Sequence, residues 1–156
     1  DGSRDSLKTV VDAGAEVFSH NIETVRRLFP KMRDRRFSYD QSLASIATVA
    51  SLSSEIILKS GFMVGCGETP EEVEATLSDL LEAGCEAVSI GQYLQPTPKH
   101  HEVQEFVPPE EFKSYETLAY DMGFAFAVAG PFVRSSYRAE ALLTAPGIVN
   151  RRKNGK

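Results

Sequence analysis

The sequence predicts an α/β protein in which helices cover a sheet of parallel strands. Short apolar segments alternate with longer segments of helical periodicity along the 156 residues. The predicted order is helix, strand, helix, helix, strand, helix, strand, helix and strand, followed by a terminal helix. Helices of this length between strands imply right-handed crossover connections, which make neighbouring strands parallel.

The first part of the chain contains one strand candidate between two helix candidates. Residues 4–13 have a helical pattern that ends at Gly14, and residues 15–19 are apolar enough for a short strand. Asn21 is a plausible N-cap of a second helix, whose pattern weakens at Pro30. The apolar positions are Leu7, Val10 and Val11 in the first helix, and Ile22, Val25, Leu28 and Phe29 in the second.

A third helix and a buried strand follow. Asp40 is the predicted N-cap of this helix, and its apolar stripe comprises Leu43, Ile46, Ala47 and Ala50. Two apolar groups come next, at residues 56–58 and 62–64. The second group is predicted to be a buried strand that runs into a glycine-rich loop at residues 65–67.

The fourth helix has the clearest start signal in the chain. Thr69 and Glu72 have the spacing of a capping box, and Pro70 suits the first helical position. Gly84 is the expected end. The predicted buried face comprises Val73, Leu77, Leu80 and Leu81.

The second half repeats the alternation. Residues 87–90 are the next predicted strand, and a long loop with four prolines covers residues 91–109. A helix is expected from Pro109 to Gly123, a strand over residues 124–128, and a short terminal helix over residues 134–143. The inward residues of the Pro109 helix are Phe112, Tyr115, Ala119 and Met122.

In parallel α/β sheets, ligands bind at the carboxyl ends of the strands. The segments just after the predicted strands are residues 20–23, 65–68, 91–95 and 130–136, and they hold much of the glycine and polar content. We therefore expect them to share one site.

Each segment also has a purely structural interpretation. The glycines at 65–67 suit a tight turn as well as an anion at a helix N-terminus, and no P-loop lysine follows them. Asn21 can simply cap a helix. Residues 134–138 can bind a phosphate or carboxylate, or cap a helix with a solvated basic face. His100 and His101 are adjacent, so on an extended segment they point apart and make a poor metal pair.

Composition limits the function further. No run of about 18 apolar residues occurs, so we expect no transmembrane helix. The net charge of −5 argues against general nucleic-acid binding. The two cysteines are too few for a disulfide framework, a four-cysteine zinc site or an all-cysteine iron–sulfur cluster, and they favour a reducing compartment.

Residues 148–156 are basic and are predicted to be a disordered tail after a domain at residues 1–147.

Together, these segments resemble the C-terminal half of the lipoyl synthases, a radical S-adenosylmethionine family. The resemblance extends from Leu7 to Leu142. Its most specific motifs are GQYLQPT at residues 91–97 and GPFVRSSY at residues 130–137. Further matching segments are DAG (12–14), VFSHNIETV (17–25), RD (33–34), YDQSL (39–43), KSGFMVG (59–65) and GET (67–69).

The resemblance implies part of a TIM-type partial (β/α)6 barrel that binds S-adenosylmethionine on its inner face. It implies two 4Fe-4S clusters as further cofactors. By residue-by-residue comparison, Ser136 would be the serine ligand of the auxiliary cluster, and Arg134 would hold that segment near the clusters. The implied cofactor-binding residues are Asn21, Glu23, Met63, Gly65, Glu68 and Gln92.

The activity implied for the family is the insertion of two sulfur atoms at C6 and C8 of a protein-bound octanoyl group. Implied partners are an octanoylated lipoyl carrier, such as glycine cleavage H protein or a lipoyl domain of a 2-oxoacid dehydrogenase, and a reductant protein. No nucleic acid or membrane partner is expected. The family acts in mitochondria, plastids and the bacterial cytoplasm, and the mitochondrion is slightly favoured here.

The chain departs from the family at one point of consequence. The family's C-x4-C-x5-C and C-x3-C-x2-C segments are absent, and Cys66 stands where leucine is usual. We therefore expect a fragment that is inactive alone. Two alternatives are another radical S-adenosylmethionine enzyme, which the two specific motifs argue against, and a cluster-less binding module derived from the barrel.

Overall fold

The computed structural model describes the backbone of residues 2–153 and the side chains of residues 2–150. Four parallel strands form one sheet in the order β1-β2-β3-β4. The strands are β1 (Val17–Ser19), β2 (Ile57–Val64), β3 (Ala87–Gln92) and β4 (Phe126–Gly130). The helices are α1 (Arg4–Asp12), α2 (Phe29–Met32), α3 (Tyr39–Leu52), α4 (Pro70–Glu82), α5 (Pro109–Met122), α6 (Ala139–Thr144) and α7 (Pro146–Lys153). The predicted α/β class with parallel strands is confirmed.

The two faces of the sheet have different cores. On the outer face, alternate strand residues such as Leu58, Phe62 and Ile90 pack in one large core with side chains of α3, α4 and α5. On the inner face, Ile57, Ala87 and Phe126 at the start of the strands pack against Leu142 and Ile148 from α6 and α7. The alternation of side chains along each strand assigns them to these two cores.

The C-terminal segment therefore lies across the inner face of the sheet. The sequence predicted one helix over residues 134–143, whereas the chain makes a turn at 135–138 and then forms α6 and α7. The predicted disordered tail at 148–156 is wrong up to Lys153, because α7 covers those residues and buries Ile148 completely. Residues 154–156 lie outside the described residues.

Helices α4 and α5 confirm their sequence signals. The Thr69 hydroxyl accepts from the Glu72 amide, and the Glu72 carboxylate accepts from the Thr69 amide, which completes the capping box. Gly84 and Gly123 both adopt positive φ just after these helices. Most of the predicted inward residues are buried, namely Val73, Leu77, Leu80, Phe112, Tyr115 and Ala119, whereas Leu81 and Met122 are only half-buried.

The helix predicted to start at Asn21 is wrong. Residues 20–24 instead continue the edge of the sheet, since the His20 amide donates to the Lys59 carbonyl at 3.0 Å and the Glu23 amide donates to that of Gly61 at 3.1 Å. The first helical residues come only with the four-residue α2, where Pro30 lies in the first turn instead of weakening a helix. The four apolar residues that suggested a helix, Ile22, Val25, Leu28 and Phe29, are nevertheless buried.

Other element boundaries move by short distances. Ser38, not Asp40, is the N-cap of α3, because its hydroxyl accepts from the Gln41 amide. The buried stripe of α3 shifts to Ser42, Ser45, Ile46 and Val49, and leaves Ala47 and Ala50 exposed. The two apolar groups of residues 56–64 belong to the single strand β2, and β4 begins two residues later than predicted. Val10, predicted on the buried face of α1, is 43% exposed.

Candidate functional site

A cavity of about 280 Å³ lies at the carboxyl ends of the strands. It combines three of the four segments that were expected to share a site, namely those after β1, β3 and β4, with residues of β2 itself. Of the predicted site residues, Asn21, Glu23, Met63, Gln92 and Arg134 line it. Gly65, Glu68 and Ser136 are not among its lining residues.

Asn21 and Ser89 face each other across a glycine of β2. A Cβ placed on Gly61 would lie 2.5 Å from the Ser89 hydroxyl oxygen and 3.3 Å from the Asn21 amide oxygen. The Asn21 amide oxygen is buried and has no hydrogen-bond partner among the described residues. A buried acceptor without a donor costs free energy unless a ligand or water pairs with it, so this oxygen indicates where a donor of a ligand would bind.

Glu23 lines the cavity in a left-handed backbone conformation. Its φ is +71°, which a residue with a side chain adopts at a cost. The conformation is held from both sides, since the Glu23 amide donates to the Gly61 carbonyl and the Met63 amide donates to the Glu23 carbonyl at 3.0 Å. The Glu23 carboxylate lies 3.8 Å from the Arg33 guanidinium.

Gln92 lines the cavity, but the structure gives its amide a role that the sequence did not suggest. The amide nitrogen donates to the carbonyls of Glu105 at 2.9 Å and Tyr93 at 3.0 Å, and the amide oxygen accepts from the Val107 amide at 3.0 Å. The polar atoms of this buried side chain therefore hold the two ends of the loop between β3 and α5 together.

Gly65 and Glu68 shape the loop after β2. The Glu68 carboxylate accepts from the amides of Gly65 at 2.5 Å and Cys66 at 2.9 Å. A Cβ on Gly65, whose φ is +90°, would lie 2.3 Å from the Gln92 amide nitrogen and 2.4 Å from the Glu105 carbonyl oxygen. Both residues therefore fix a tight turn, which is the structural role that the sequence analysis gave as the alternative to an anion site.

The segment after β4 crosses back over the sheet. Arg134 lines the cavity, and its guanidinium donates to the Val133 carbonyl at 2.7 Å. Ser135 also lines the cavity, whereas Ser136 is exposed next to it. The Tyr137 amide donates to the Arg134 carbonyl at 2.8 Å and closes the turn that presents both serines.

Lys59 does not line the cavity but hydrogen-bonds to two residues that do, and sequence reasoning missed it. It is only 4% exposed, and its ammonium donates to the Ser135 carbonyl at 2.7 Å and to the Ser89 hydroxyl at 3.2 Å. Burial lowers the pKa of this ammonium. The available signal was a lysine between the apolar groups of residues 56–58 and 62–64, because lysine is rarely buried unless it is paired.

Neither the histidines nor the cysteines form a metal site in the described part of the chain. His101 pairs with the Cys66 carbonyl at 2.8 Å, and His100 with the Thr97 hydroxyl at 2.8 Å. No group of three potential His, Cys, Asp or Glu ligands occurs among the described residues. Burial raises the pKa of both Cys66 and Cys85 to about 12, so both remain thiols at neutral pH.

No family model matches the chain. Curated proteins named lipoyl synthase do match it, and three of them serve as examples. The mitochondrial lipoyl synthase of Drosophila pseudoobscura pseudoobscura is 44% identical over 153 residues, which are 98% of this chain and 41% of that protein. The mitochondrial enzyme of Branchiostoma floridae is 47% identical over 88% of this chain and 37% of its own length. The lipoyl synthase of Thermus thermophilus is 48% identical over 89% of this chain and 43% of its own length.

The chain is a homologue of the lipoyl synthases. The resemblance predicted from the sequence motifs is thereby confirmed, and a parallel α/β sheet agrees with part of a radical S-adenosylmethionine barrel. The chain spans about two fifths of the length of the curated relatives that it matches. No helix in the described residues has the length and apolarity to cross a membrane.

The cavity offers groups that could contact a polar ligand such as S-adenosylmethionine, whereas the thiols of this chain do not suit an iron–sulfur cluster. The unpaired oxygen of Asn21 can accept from a hydroxyl or amino group, and glycines at 61 and 91 bring backbone to the cavity surface. In contrast, the two cysteine thiols are buried and protonated at neutral pH. The Cys85 thiol also contacts the carbonyls of Leu58 and Ala87. The chain's own thiols therefore do not fit a cluster.

Proposed function

We propose that this chain provides the S-adenosylmethionine side of a lipoyl synthase active site, in an enzyme that inserts two sulfur atoms at C6 and C8 of a protein-bound octanoyl group. The observation that carries the proposal is the 43–48% identity to proteins named lipoyl synthase over 88–98% of the chain. The cavity at the carboxyl ends of the strands supports it, because it lies where α/β sheets bind their ligands.

Within this proposal, residues of the cavity contact S-adenosylmethionine. Asn21 accepts a hydrogen bond from the cofactor, and Glu23 attracts its cationic part through the carboxylate. Met63 provides an apolar surface. Gln92 holds the loop that closes one side of the cavity, and Gly65 and Glu68 fix the neighbouring turn.

Arg134 and Ser136 have the second set of proposed roles. Ser136 would provide an oxygen ligand to the auxiliary 4Fe-4S cluster, whose cysteine ligands this chain does not contain. Its exposed side chain, next to the cavity, is compatible with such a contact. Arg134 would hold the segment near the clusters; its side chain lines the cavity, and its guanidinium donates to the carbonyl of the preceding residue, Val133. A second 4Fe-4S cluster completes the proposed cofactors.

The bound cofactors supply the radical and the sulfur, while the protein orients them and excludes water. The residues of this chain hold S-adenosylmethionine against the carboxyl edge of the sheet and present the serine turn beside it. Our proposed partners are an octanoylated lipoyl carrier protein and a reductant protein. Since several relatives carry the name of mitochondrial enzymes, we also propose a mitochondrial location.

The first test is the source transcript upstream of Asp1. The proposal expects C-x4-C-x5-C and C-x3-C-x2-C segments in frame. The protein expressed from that transcript should convert an octanoylated lipoyl carrier to a product that has gained two sulfur atoms and lost two hydrogen atoms, as measured by mass spectrometry. We expect the 156-residue chain alone to give no such product.

Two variants sharpen the test. Ser136→Ala should abolish the product and lower the iron content of the enzyme, whereas Ser114→Ala, an exposed hydroxyl on α5, should change neither. A start codon close to Asp1 without any cysteine segment would refute the proposal and favour a cluster-less binding module.

A further inference from the structure

Lys59 is the most deeply buried charged side chain next to the cavity. Its side chain leaves the third residue of β2 on the inner face, where the neighbouring positions of the same face along the strand are Ile57 and Gly61, which has no side chain. No salt bridge joins it to a carboxylate within the described residues, whose ion pairs all lie elsewhere. Burying an ammonium without a counter-ion costs free energy. The hydrogen bonds of the Lys59 ammonium offset part of this cost.

Those hydrogen bonds connect parts of the chain that are distant in sequence. The shorter one, at 2.7 Å, reaches the carbonyl of Ser135, 76 residues away. The longer one, at 3.2 Å, reaches the hydroxyl of Ser89 on the neighbouring strand. The strand positions of Lys59 and Ser89 are fixed by the sheet register, so the ammonium is a fixed donor to which the turn attaches.

The turn has few other attachments to the sheet. Every residue from 134 to 140 is exposed, and within the described part of the chain the backbone hydrogen bonds of this stretch stay inside residues 134–142. Val133 before it and Leu142 after it are buried in the inner core. Between these two anchors, the hydrogen bond from the Lys59 ammonium joins the Ser135 backbone to a strand in the described part of the chain.

We infer that Lys59 is a positioning residue that fixes the Ser135–Ser136 turn over the inner face of the sheet through its hydrogen bond to the Ser135 carbonyl. The inference rests on the proposed function, because the turn carries Ser136, the proposed ligand of the auxiliary cluster. In this role Lys59 acts on Ser136 through the backbone of Ser135 and not as a ligand itself.

The test compares amide hydrogen exchange in the full chain and in Lys59→Met, which keeps the length of the side chain and removes the donor. The amides of Tyr137 and Ala139 report on the turn, since they donate to the carbonyls of Arg134 and Ser136. We expect them to exchange about tenfold faster in Lys59→Met, the effect of losing one charge-assisted hydrogen bond. The amides of α4, on the opposite face of the sheet, should be unchanged. Lys113→Met, an exposed lysine on α5, is the matched control and should change neither set.

Two results would overturn the inference. One is wild-type protection of Tyr137 and Ala139 in Lys59→Met. The other is a loss of protection throughout the sheet or a failure to fold, because Lys59 would then support the core as a whole and not the turn.

A second measurement separates this inference from the proposed function. In the protein expressed from the whole transcript, Lys59→Met should lower the auxiliary-cluster content, read from iron content and the Mössbauer spectrum, in the same direction as Ser136→Ala. If Ser136→Ala leaves the clusters intact while Lys59→Met still loosens the turn, the role of Ser136 fails and the positioning role stands. If Ser136→Ala removes the cluster and Lys59→Met affects neither the turn nor the cluster, the proposed function stands and Lys59 is not a positioning residue.

Discussion

The carbonyl oxygen of Val133 lies 2.4 Å from the place where a side chain on Gly91 would put its Cβ. Gly91 is in β3 and Val133 follows β4, so the absence of a side chain at residue 91 lets the C-terminal segment lie directly on the sheet. This close approach places Arg134 and Ser135 at the cavity. The glycine of the GQYLQPT motif and the GPFVRSSY motif therefore belong to one structural feature.

Gly91→Ala should destabilise the chain by about 1–3 kcal/mol, because the added methyl group collides with backbone that has to move. The free energy of unfolding in urea measures the effect. Gly130→Ala is the matched control. Its Cβ would meet only a Val133 methyl group at 3.4 Å, and we expect a change below about 1 kcal/mol. Equal losses in the two variants would contradict the close-approach argument.

Thr69→Ala should lower the free energy of unfolding by about 1 kcal/mol, because it removes the acceptor of the capping box at the start of α4. The same urea titration measures the loss. Thr117→Ala in α5 removes a hydroxyl that donates to the Lys113 carbonyl inside a helix, and should change stability by less than about 0.5 kcal/mol. A loss at Thr117 as large as that at Thr69 would show that the cap has no special effect.

The start of α4 could be predicted because its signal is local: all the residues of the capping box lie within four positions. The conformation of the segment after β1 could not be predicted in this way. Ile22, Val25 and Leu28 are buried as predicted, yet their spacing fits a run of buried turns as well as a helix. Pairing of Glu23 with Phe62, far away in sequence, decides between the two.

In the site, too, the predictions from local sequence patterns succeeded only in part, and a contact between residues distant in sequence was missed. The rule that ligands bind after parallel strands correctly brought Asn21, Gln92 and Arg134 to one cavity. It failed for Glu68, because this carboxylate is occupied by the amides of its own turn. Lys59 was missed because its partner Ser135 is 76 residues away, a distance that no local pattern reports.

Cys85 should make the stability of the chain fall in alkaline solution. Burial raises its pKa from 9.0 to about 12 in the folded chain. Above pH 9.0 the thiol of the unfolded chain ionises while that of the folded chain stays protonated. Ionisation therefore stabilises the unfolded state relative to the folded state. This thiol alone should lower the free energy of unfolding by about 1.4 kcal/mol per pH unit between the two pKa values.

Cys85→Ala tests this sign. The variant lacks the thiol, so its stability deficit relative to the wild type should shrink as the pH rises from 8 to about 10.5. Val88→Ala truncates a neighbouring buried side chain that does not titrate, and its deficit should stay constant over the same range. Urea titrations at each pH give both differences, and a constant deficit in Cys85→Ala would contradict the raised pKa.

Glu23→Gly should stabilise the chain relative to Glu23→Ala by about 1 kcal/mol. Both variants lose the carboxylate and its 3.8 Å approach to Arg33, but only glycine adopts the φ of +71° without steric cost. The free energy of unfolding of the two variants is the measurement. If alanine is as stable as glycine at this position, the left-handed backbone of Glu23 is not strained.

In the protein expressed from the whole transcript, both variants should bind S-adenosylmethionine more weakly than the wild type in equilibrium dialysis, because the proposed contact is the carboxylate. A gain in stability together with a loss of binding in Glu23→Gly would identify residue 23 as one where the fold tolerates strain for the sake of the site.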